Sequence, residues 1–410
     1  IRHAGQEAVG TIAQLVITAV AANATPPAEV SPAGDVSGGG QGGPGGGSVQ
    51  GAEGLSPYLS LGVGPDRIRL LRVLKGPSQG RTIVLRGDMD ALPMPEDTDV
   101  PFKSRVPNAM HACGHDSHTA MLAMAARLLH DRRDRLSGTV KFMFQPGEEG
   151  HFGAVKMIED GLLDRHPKPD GAFALHITPN IPSGVFASRP GPFMASTDTI
   201  EITVWGKGGH ASAPHHALDP LPIACEIVLA LQSMVTRRIN AFEPVVLTIA
   251  KIEGGTTSNV IPETVKMLGT LRSVSENARK AAKEAIPRIA TNIAKAHGAW
   301  AEVTLTEGYA VTVNDGRMVD IARDAAREML GDAGFMPMPS AVMGAEDWSY
   351  VLQKIPGCMT FLGVAPPGCD FHTAAPCHSN RMMLDEDAMA NGIALYAAVA
   401  ERFLDRGFAA

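Results

Sequence analysis

The stretch HACGHDSHT, residues 111–119, precedes an apolar run, AMLAMAARLL, residues 120–129. Cys113 and His115 are ligand types that suit transition metals such as zinc, manganese, cobalt and nickel. Gly114 lets the backbone turn between them, so both side chains could point at one site. The apolar run predicts a buried helix over 119–129, so the stretch forms the loop that opens it. Taken alone, it also fits a core cysteine flanked by surface histidines.

Ligand-type residues also follow three short strand-like runs, at 82–85, 139–144 and 171–175. Asp88 and Asp90 follow the first run, Glu148 and Glu149 the second, and His176 the third. Each could separately be part of a polar turn, but the coincidence favours one site at the carboxyl edge of a parallel sheet. Of the adjacent glutamates, one can bind metal while the other stays free as a general base.

The pattern changes between residues 199 and 305. Four strand-like runs and two helical runs alternate there in the order βαββαβ, which predicts a ferredoxin-like unit of about a hundred residues. The strand-like runs are 199–205, 245–252, 264–272 and 301–305, and the helical runs are 218–238 and 276–297. Glycine-rich loops in this unit hold His210 and Asn259, which indicates a site more than a core. The first domain resumes past residue 313.

Composition narrows the class of protein. The 410 residues hold 36 Lys and Arg against 43 Asp and Glu, a net charge of −7, which argues against nucleic acid as a partner. The five cysteines are too scattered for a disulfide framework, so we expect a reducing, cytoplasmic setting. No stretch is long and apolar enough to span a bilayer, and no membrane partner is expected. Residues 11–24 leave export open because they have the outline of a short signal peptide, and residues 26–54 predict a flexible linker.

The motifs together carry a resemblance to a known family. In chain order they are HACGHDSHT, QPGEEG, the strand-end His176, GKGGHASAP, GGTTSNVIP, GTLRS, MGAEDWSY and CHSN. This set resembles the M20 metallopeptidase superfamily, in the amidohydrolase branch that includes hippurate hydrolases, N-acyl-amino-acid amidohydrolases and auxin-conjugate hydrolases. The resemblance runs from about Gly80 to the C-terminus.

The resemblance implies an α/β fold. A zinc-exopeptidase-like catalytic domain would cover residues 80–195 and 307–410, and an inserted ferredoxin-like lid and dimerisation domain would cover residues 196–306. Residues 1–79 would be a divergent N-terminal segment, nominally part of the catalytic domain. A homodimer is expected, with His210 reaching the site of the other subunit.

The resemblance also implies a site with two divalent metal ions, manganese, zinc, cobalt or nickel. The implied metal ligands are Cys113, His115, Glu149, His176 and His378. Glu148 matches the catalytic acid/base, and Asp90 matches an acid behind the metals. His210, Asn259 and Arg272 match lid residues that contact substrate.

The expected activity is hydrolysis of the amide bond of a small N-acyl amino acid. Water activated by the metals would lose its proton to Glu148, which would then protonate the leaving amine. Metals and His210 would stabilise the oxyanion, and Asn259 with Arg272 would hold a substrate carboxylate. Three alternatives remain open: an exopeptidase with the same metals, a non-catalytic binding protein of the same fold, and a structural zinc site.

Overall fold

The computed structural model describes residues 63–64, 67–68 and 70–408, with side chains from residue 71. The predicted signal-like segment at 11–24 and the linker at 26–54 therefore lie outside the described residues. The first described pieces are two short strands, β1 (Val63–Gly64) and β2 (Arg67–Ile68), which pair antiparallel.

A seven-stranded sheet forms the centre of the larger unit, in the order β16-β7-β17-β6-β4-β5-β3. Its strands are β3 (Leu70–Lys75), β4 (Arg81–Asp88), β5 (Gly138–Gln145), β6 (Gly171–Thr178), β7 (Phe186–Ser188), β16 (Phe335–Pro337) and β17 (Gly357–Gly363). The four neighbours β17, β6, β4 and β5 are mutually parallel. Their carboxyl ends therefore meet at one edge of the sheet, where α/β folds place ligand sites.

Apolar side chains cover both faces of this sheet. Ile83 and Leu85 pack into one core with helices α1 (His115–Asp131), α5 (Gly316–Leu330) and α7 (Met389–Arg406). Val84 faces the other way, into a core with α2 (Gly153–Glu159) and with Trp348, beside α6 (Ser349–Leu352). Because adjacent residues of one strand are buried on opposite faces, the strands read as continuous apolar runs, which is typical of parallel sheets.

The inserted stretch forms a second sheet of four antiparallel strands, in the order β11-β13-β9-β14. Its elements are β9 (Ser196–Trp205), α3 (Pro220–Arg238), β11 (Val245–Gly254), β13 (Thr264–Ser273), α4 (Glu276–Ala296) and β14 (Trp300–Glu307). The strand and helix order is the βαββαβ order predicted from the sequence. The helices close one face of the sheet over a core of their own.

Short elements complete the chain. The pair β10 (Gly209–His210) and β12 (Val260–Ile261) joins the two glycine-rich loops of the inserted unit. A second pair, β8 (Gly191–Met194) and β15 (Thr312–Asn314), lies beside the connections to the larger unit. Among the described residues, no helix combines the length and apolar character needed to cross a bilayer.

The structure corrects two local expectations. The helix after the metal motif begins at His115, four residues before the predicted start, so His115 belongs to the helix and not to the loop. Strand β6 continues to Thr178, so His176 lies inside the strand and not after its end. In both cases the element was predicted from its apolar residues alone, so the polar residues at its end were left out of the predicted range.

Candidate metal centre and active site

The carboxyl edge of the seven-stranded sheet collects the predicted site. Asp88 is the last residue of β4, His176 lies near the end of β6, and Glu148 follows β5 by three residues. Because these three strands are parallel neighbours, their ends bring the three side chains into one region.

Gly114 sets the turn that places Cys113 next to His115. Its φ of +73° lies in the left-handed region, and a Cβ there would stand 2.6 Å from the side chain of Ile177. Both facts require glycine. Cys113 therefore lies just before the helix and His115 is its first residue, and both side chains are buried.

The predicted ligands form two groups that share Cys113. One is Cys113, His115 and His176, and the other is Cys113, Glu149 and His378, with the ligand atoms of each group within 4.8 Å of one another. Cys113 Sγ lies 3.4 Å from His176 Nε2, and His378 Nε2 lies 3.0 Å from Glu149 Oε1. All five predicted ligands are therefore brought together, with the thiol in the shared position.

Buried polar atoms at this place lack well-aligned hydrogen bonds. They include both ring nitrogens of His115, Asp88 Oδ2, Asp90 Oδ1 and Glu149 Oε1. Buried polar atoms are normally satisfied, so a set of unsatisfied ones calls for an explanation such as an ion. Nitrogen, oxygen and thiolate donors within one cluster fit divalent transition metals.

Asp90 touches two of the ligands. Its Oδ2 accepts a hydrogen bond of 2.8 Å from the backbone N–H of Glu149, and its Oδ1 lies 3.4 Å from His115 Nδ1. Burial would lower the pKa of His115, but the carboxylates of Asp88, Asp90 and Glu149 raise it to about 10. This negative surrounding favours a cation at the site.

His118 lies within the cluster but is occupied on both ring nitrogens. Its Nε2 accepts a hydrogen bond of 2.8 Å from the Ile177 N–H, so its Nδ1 carries the proton that faces Asp88 Oδ1 at 2.5 Å. Burial lowers the pKa of His118 to about 3, which keeps the ring neutral. His118 thus orients Asp88 and has no free nitrogen for a metal.

Glu148 is buried beside the predicted ligands. It belongs to two clusters of possible ligand side chains, one with His115 and Glu149 and one with Glu346 and Asp347. Burial, and then the charges of Glu346 and Asp347, raise the pKa of Glu148 well above its usual value. A carboxyl group with a raised pKa can take a proton and return it near neutral pH, as acid/base catalysis requires.

Arg86 anchors these acids from inside β4. Its guanidinium lies 2.8 Å from Asp88 and 2.7 Å from Glu346, and its Nε donates to the Gln145 side chain at 2.9 Å. Gln145 donates onward to Asp347 at 2.7 Å. The charges of Arg86 and His115, together with the hydrogen bond from His118, outweigh the effect of burial and hold the pKa of Asp88 well below its usual range.

His378 has a strained backbone. Its φ of +69° is uncommon for a residue with a side chain, and its N–H donates to Ala112 O at 2.7 Å. That bond joins the C-terminal ligand segment to the residue before Cys113. The neighbouring Cys377 hydrogen-bonds with Cys113. This contact, and then burial, raise the pKa of the Cys113 thiol. The same contact lowers the pKa of the Cys377 thiol.

The three predicted substrate-binding residues lie on the inserted unit, apart from the ligands. His210 is exposed, and its Nδ1 lies 2.8 Å from Ser212 Oγ. The loop of Asn259 is tied to the loop of His210, since Ala211 N–H donates to Asn259 O at 3.0 Å. Arg272 is partly buried and donates to Met343 O at 3.1 Å. Over the described residues, no hydrogen bond or ion pair joins these three side chains to the metal ligands.

Several residues of the site were not predicted. Sequence reasoning gave no role to Arg86, Glu346 or Asp347, and it named Asp88 only as a ligand-type residue after a strand-like run. Arg86 was missed because a buried arginine inside an apolar strand has no periodic signal. Tyr309 is a further case, since its hydroxyl donates to Glu148 O and accepts from Gly150 N–H. A lone tyrosine in a connecting segment offered no pattern that could have identified it.

Comparison with known proteins places the chain in a family. Residues 84–402 match Peptidase family M20/M25/M40. The chain belongs to this family. The resemblance drawn from the motifs is thereby confirmed, and the protein is placed among metal-dependent hydrolases of the amidohydrolase and peptidase type.

Individual relatives differ in the activity that their names state. Thermostable carboxypeptidase 2 of Saccharolobus solfataricus is 41% identical, over 81% of this chain and 83% of its own length. N-acetylcysteine deacetylase of Bacillus subtilis is 38% identical, over 84% of this chain and 85% of its own. The crystal structure of the Bacillus subtilis YXEP protein, described as a dinuclear metal-binding peptidase from the M20 family, superposes with a TM-score of 0.71 at 33% identity, over 82% and 85% of the two chains.

Proposed function

We propose that this protein is a metal-dependent amidohydrolase that cleaves the amide bond of small N-acyl amino acids. One observation carries the proposal: Glu148 is buried directly beside two ligand groups that share Cys113, and it belongs to neither of those two. A purely structural metal site would have closed ligands and no need of a spare carboxylate. A carboxylate next to the cations is what hydrolysis requires.

Cys113, His115, Glu149, His176 and His378 would hold two divalent cations, with the thiolate shared between them. When bound, such cations supply Lewis acidity, which acidifies water and polarises a carbonyl group. Mixed nitrogen, oxygen and sulfur donors are compatible with manganese, zinc, cobalt and nickel. Asp90 supports the ligands His115 and Glu149 through the contacts described above.

Glu148 moves the proton. In its ionised form it removes a proton from the attacking water, and as a carboxylic acid it delivers that proton to the leaving amine. The surrounding Glu346 and Asp347 favour the protonated form, and Arg86 opposes them. Burial adds to the effect of the two acids, whereas a cation bound at the neighbouring residues would favour the ionised form.

The inserted unit would act as a ferredoxin-like lid over residues 196–306, with the catalytic domain formed by 80–195 and 307–410. His210 would stabilise the oxyanion, and Asn259 with Arg272 would bind the substrate carboxylate. The glycine-rich loops that carry His210 and Asn259 are paired through β10 and β12, so the two residues would arrive together. Since His210 is exposed and forms no hydrogen bond or ion pair with the proposed ligands in the described chain, lid closure or a second subunit would have to supply it.

A homodimer would form through the inserted unit. Its strand β11 is an edge of the four-stranded sheet and exposes Val246 and Ile252, a feature that favours pairing with another strand. Light scattering at micromolar concentration tests this, and a fully active monomer would remove both the dimer and the role of His210 across it.

A C-terminal exopeptidase is the second candidate, favoured by the carboxypeptidase relative from Saccharolobus solfataricus. The two activities share metals and base and differ in what lies on the acyl side. The decisive experiment compares N-acetyl- and N-benzoyl-amino acids with dipeptides and longer peptides, on metal-stripped protein to which each metal is returned. Preference for peptides by kcat/KM would favour the exopeptidase, and failure to hydrolyse any amide with any metal would reject both.

A further inference from the structure

The turn that carries Glu148 and Glu149 is held from a different part of the chain. The Tyr309 hydroxyl donates to Glu148 O and accepts from Gly150 N–H at 2.6 Å, so it bridges the two ends of the turn. The same Gly150 N–H also lies 2.8 Å from Glu148 O, and Gly150 has a φ of +81°. A turn this tight has few bonds of its own, so the outside hydroxyl determines much of its rigidity.

Tyr309 stands on the connection that returns from the inserted unit. Its carbonyl accepts a bond of 3.0 Å from Thr197 N–H, and Thr197 O accepts one of 3.0 Å from Gly308 N–H. Thr197 lies at the start of β9 and Gly308 directly follows β14, so the beginning of the inserted unit and the connection that returns from it are hydrogen-bonded to each other beside this tyrosine. A Cβ at Gly308 would stand 2.5 Å from Thr197 O, so the close approach requires glycine.

Aromatic packing fixes the ring. Tyr309 is 6% exposed and meets Phe152 edge-on, with ring centroids 5.0 Å apart. Tyr350 lies on another side and donates to Gly308 O at 3.1 Å. Burial raises the pKa of Tyr309, so its hydroxyl remains a donor at every working pH. The hydroxyl therefore reaches the turn from a ring that has little freedom to move.

We propose that Tyr309 is a positioning residue for the hydrolytic reaction, one that fixes the turn bearing Glu148 and Glu149 to the connection between the inserted unit and the sheet. The inference rests on the proposed function for its catalytic consequence and on the hydrogen bonds alone for its structural one. Tyr309 itself need not touch substrate. It keeps the base and a neighbouring metal ligand in register with the unit that closes over them.

The test replaces the hydroxyl and keeps the ring. In Tyr309→Phe the aromatic packing remains, so the protein should fold and keep its metal content. We expect kcat to fall by roughly 10- to 100-fold, since displacement of a reacting group by about 1 Å has effects of that size, while KM stays within about threefold. Hydrogen exchange of the peptide covering residues 145–153 should become faster.

Tyr396→Phe is the matched control. The Tyr396 hydroxyl also bridges two backbone groups, donating to Arg86 O at 2.6 Å and accepting from Leu175 N–H at 3.2 Å, and it is fully buried. Its loss should lower the unfolding temperature and leave kcat and exchange at 145–153 unchanged. Equal losses of kcat in the two variants would overturn the proposal, as would wild-type exchange at 145–153 in Tyr309→Phe, or faster exchange there with wild-type kcat. If the wild-type protein hydrolyses no amide, the proposed function fails, and the exchange comparison still decides whether Tyr309 holds the turn.

Discussion

The two units of this protein treat buried charge differently. Over residues 196–306, all of which the structure describes, the buried charged side chains are Asp198 and Arg279, joined by two short bonds of 2.7 and 2.8 Å. The larger unit instead buries a connected group around Arg86 in which acids outnumber their cation. One unit satisfies its buried charge pairwise, and the other leaves an excess of negative charge at the edge of its sheet.

The excess of buried acids in the larger unit is what a cation-binding site requires, and the buried pair in the inserted unit needs no further cation. Burying acids without matching cations costs free energy, and the cost is recovered when a cation binds or when one acid stays protonated. Burial and Glu346 raise the pKa of Asp347 to about 8, in agreement with such an excess. In the inserted unit the polar residues proposed to act on substrate lie in exposed loops, where they carry no such cost.

The largest effect should come from the base. Glu148→Gln keeps the shape of the side chain but cannot take a proton, so we expect kcat to fall by about 10²- to 10⁴-fold or more with metal content unchanged. Metal analysis and steady-state kinetics measure the two quantities. Glu159→Gln, an exposed change at the end of α2, serves as a control. Near-normal turnover in a metal-loaded Glu148→Gln protein would mean that another group is the base.

Sequence reasoning could select Glu148 as the proposed base because it lies next to Glu149 in a motif, directly after an apolar strand. It also recovered the parallel strands and the βαββαβ order, since both follow from apolar periodicity and spacing. It could not find Arg86, whose role depends on Glu346 and Asp347 some 260 positions away. It also missed short elements such as β7 and β16, because three residues are too few to show a period.

The second prediction tests the difference between the units by removing the buried arginine of each. Arg86→Met removes the guanidinium that pairs with Asp88, Glu346 and Asp347. Arg279→Met removes the guanidinium that pairs with Asp198. Removing one partner of a buried pair typically costs about 3–5 kcal/mol. Lys283 still lies 3.9 Å from Asp198, so we expect Arg279→Met to be the milder change.

Chemical unfolding of both variants in metal-free protein measures this, because bound metal would add its own stabilisation. If Arg279→Met proves the more destabilising, the larger unit does not depend on Arg86 to balance its acids. In that case the acids must be protonated, which titration by NMR would detect.

The third prediction concerns the exposed loop. His210→Ala should lower kcat by about 10²- to 10³-fold, the usual loss for one oxyanion donor, with metal content and unfolding temperature unchanged. His215→Ala, exposed on the same segment, is the matched control and should have no effect on kcat. Similar kinetics for the two variants would remove His210 from the mechanism.

Arg272 provides a more selective effect. Arg272→Ala should raise KM about tenfold or more for substrates with a free carboxylate, since a charged hydrogen bond is worth about 1.5–3 kcal/mol. It should change little for an N-acyl amine that lacks one. The contact with Met343 O offers a structural alternative, in which both classes of substrate lose activity equally.

The smallest effect compares one helix cap from each unit. Asp315 caps α5 by accepting from Arg317 N–H at 2.9 Å, and Asp219 caps α3 by accepting from Leu221 N–H at 3.0 Å. Each change to Ala should cost about 1 kcal/mol at neutral pH.

Asp315 also pairs with the Arg317 side chain, an exposed contact that adds little. The hydrogen bond with Arg317 lowers the pKa of Asp315, so its contribution is fully present above the unfolded-state pKa of about 3.9 and is lost as pH falls through the lower folded value. Urea unfolding at pH 7 and at pH 3 should therefore show a smaller gap between wild type and Asp315→Ala at the lower pH. Asp315→Asn, which keeps the cap but not the charge, should lie near wild type at pH 7. A gap that widens on acidification would mean that the folded protein holds Asp315 in its protonated form.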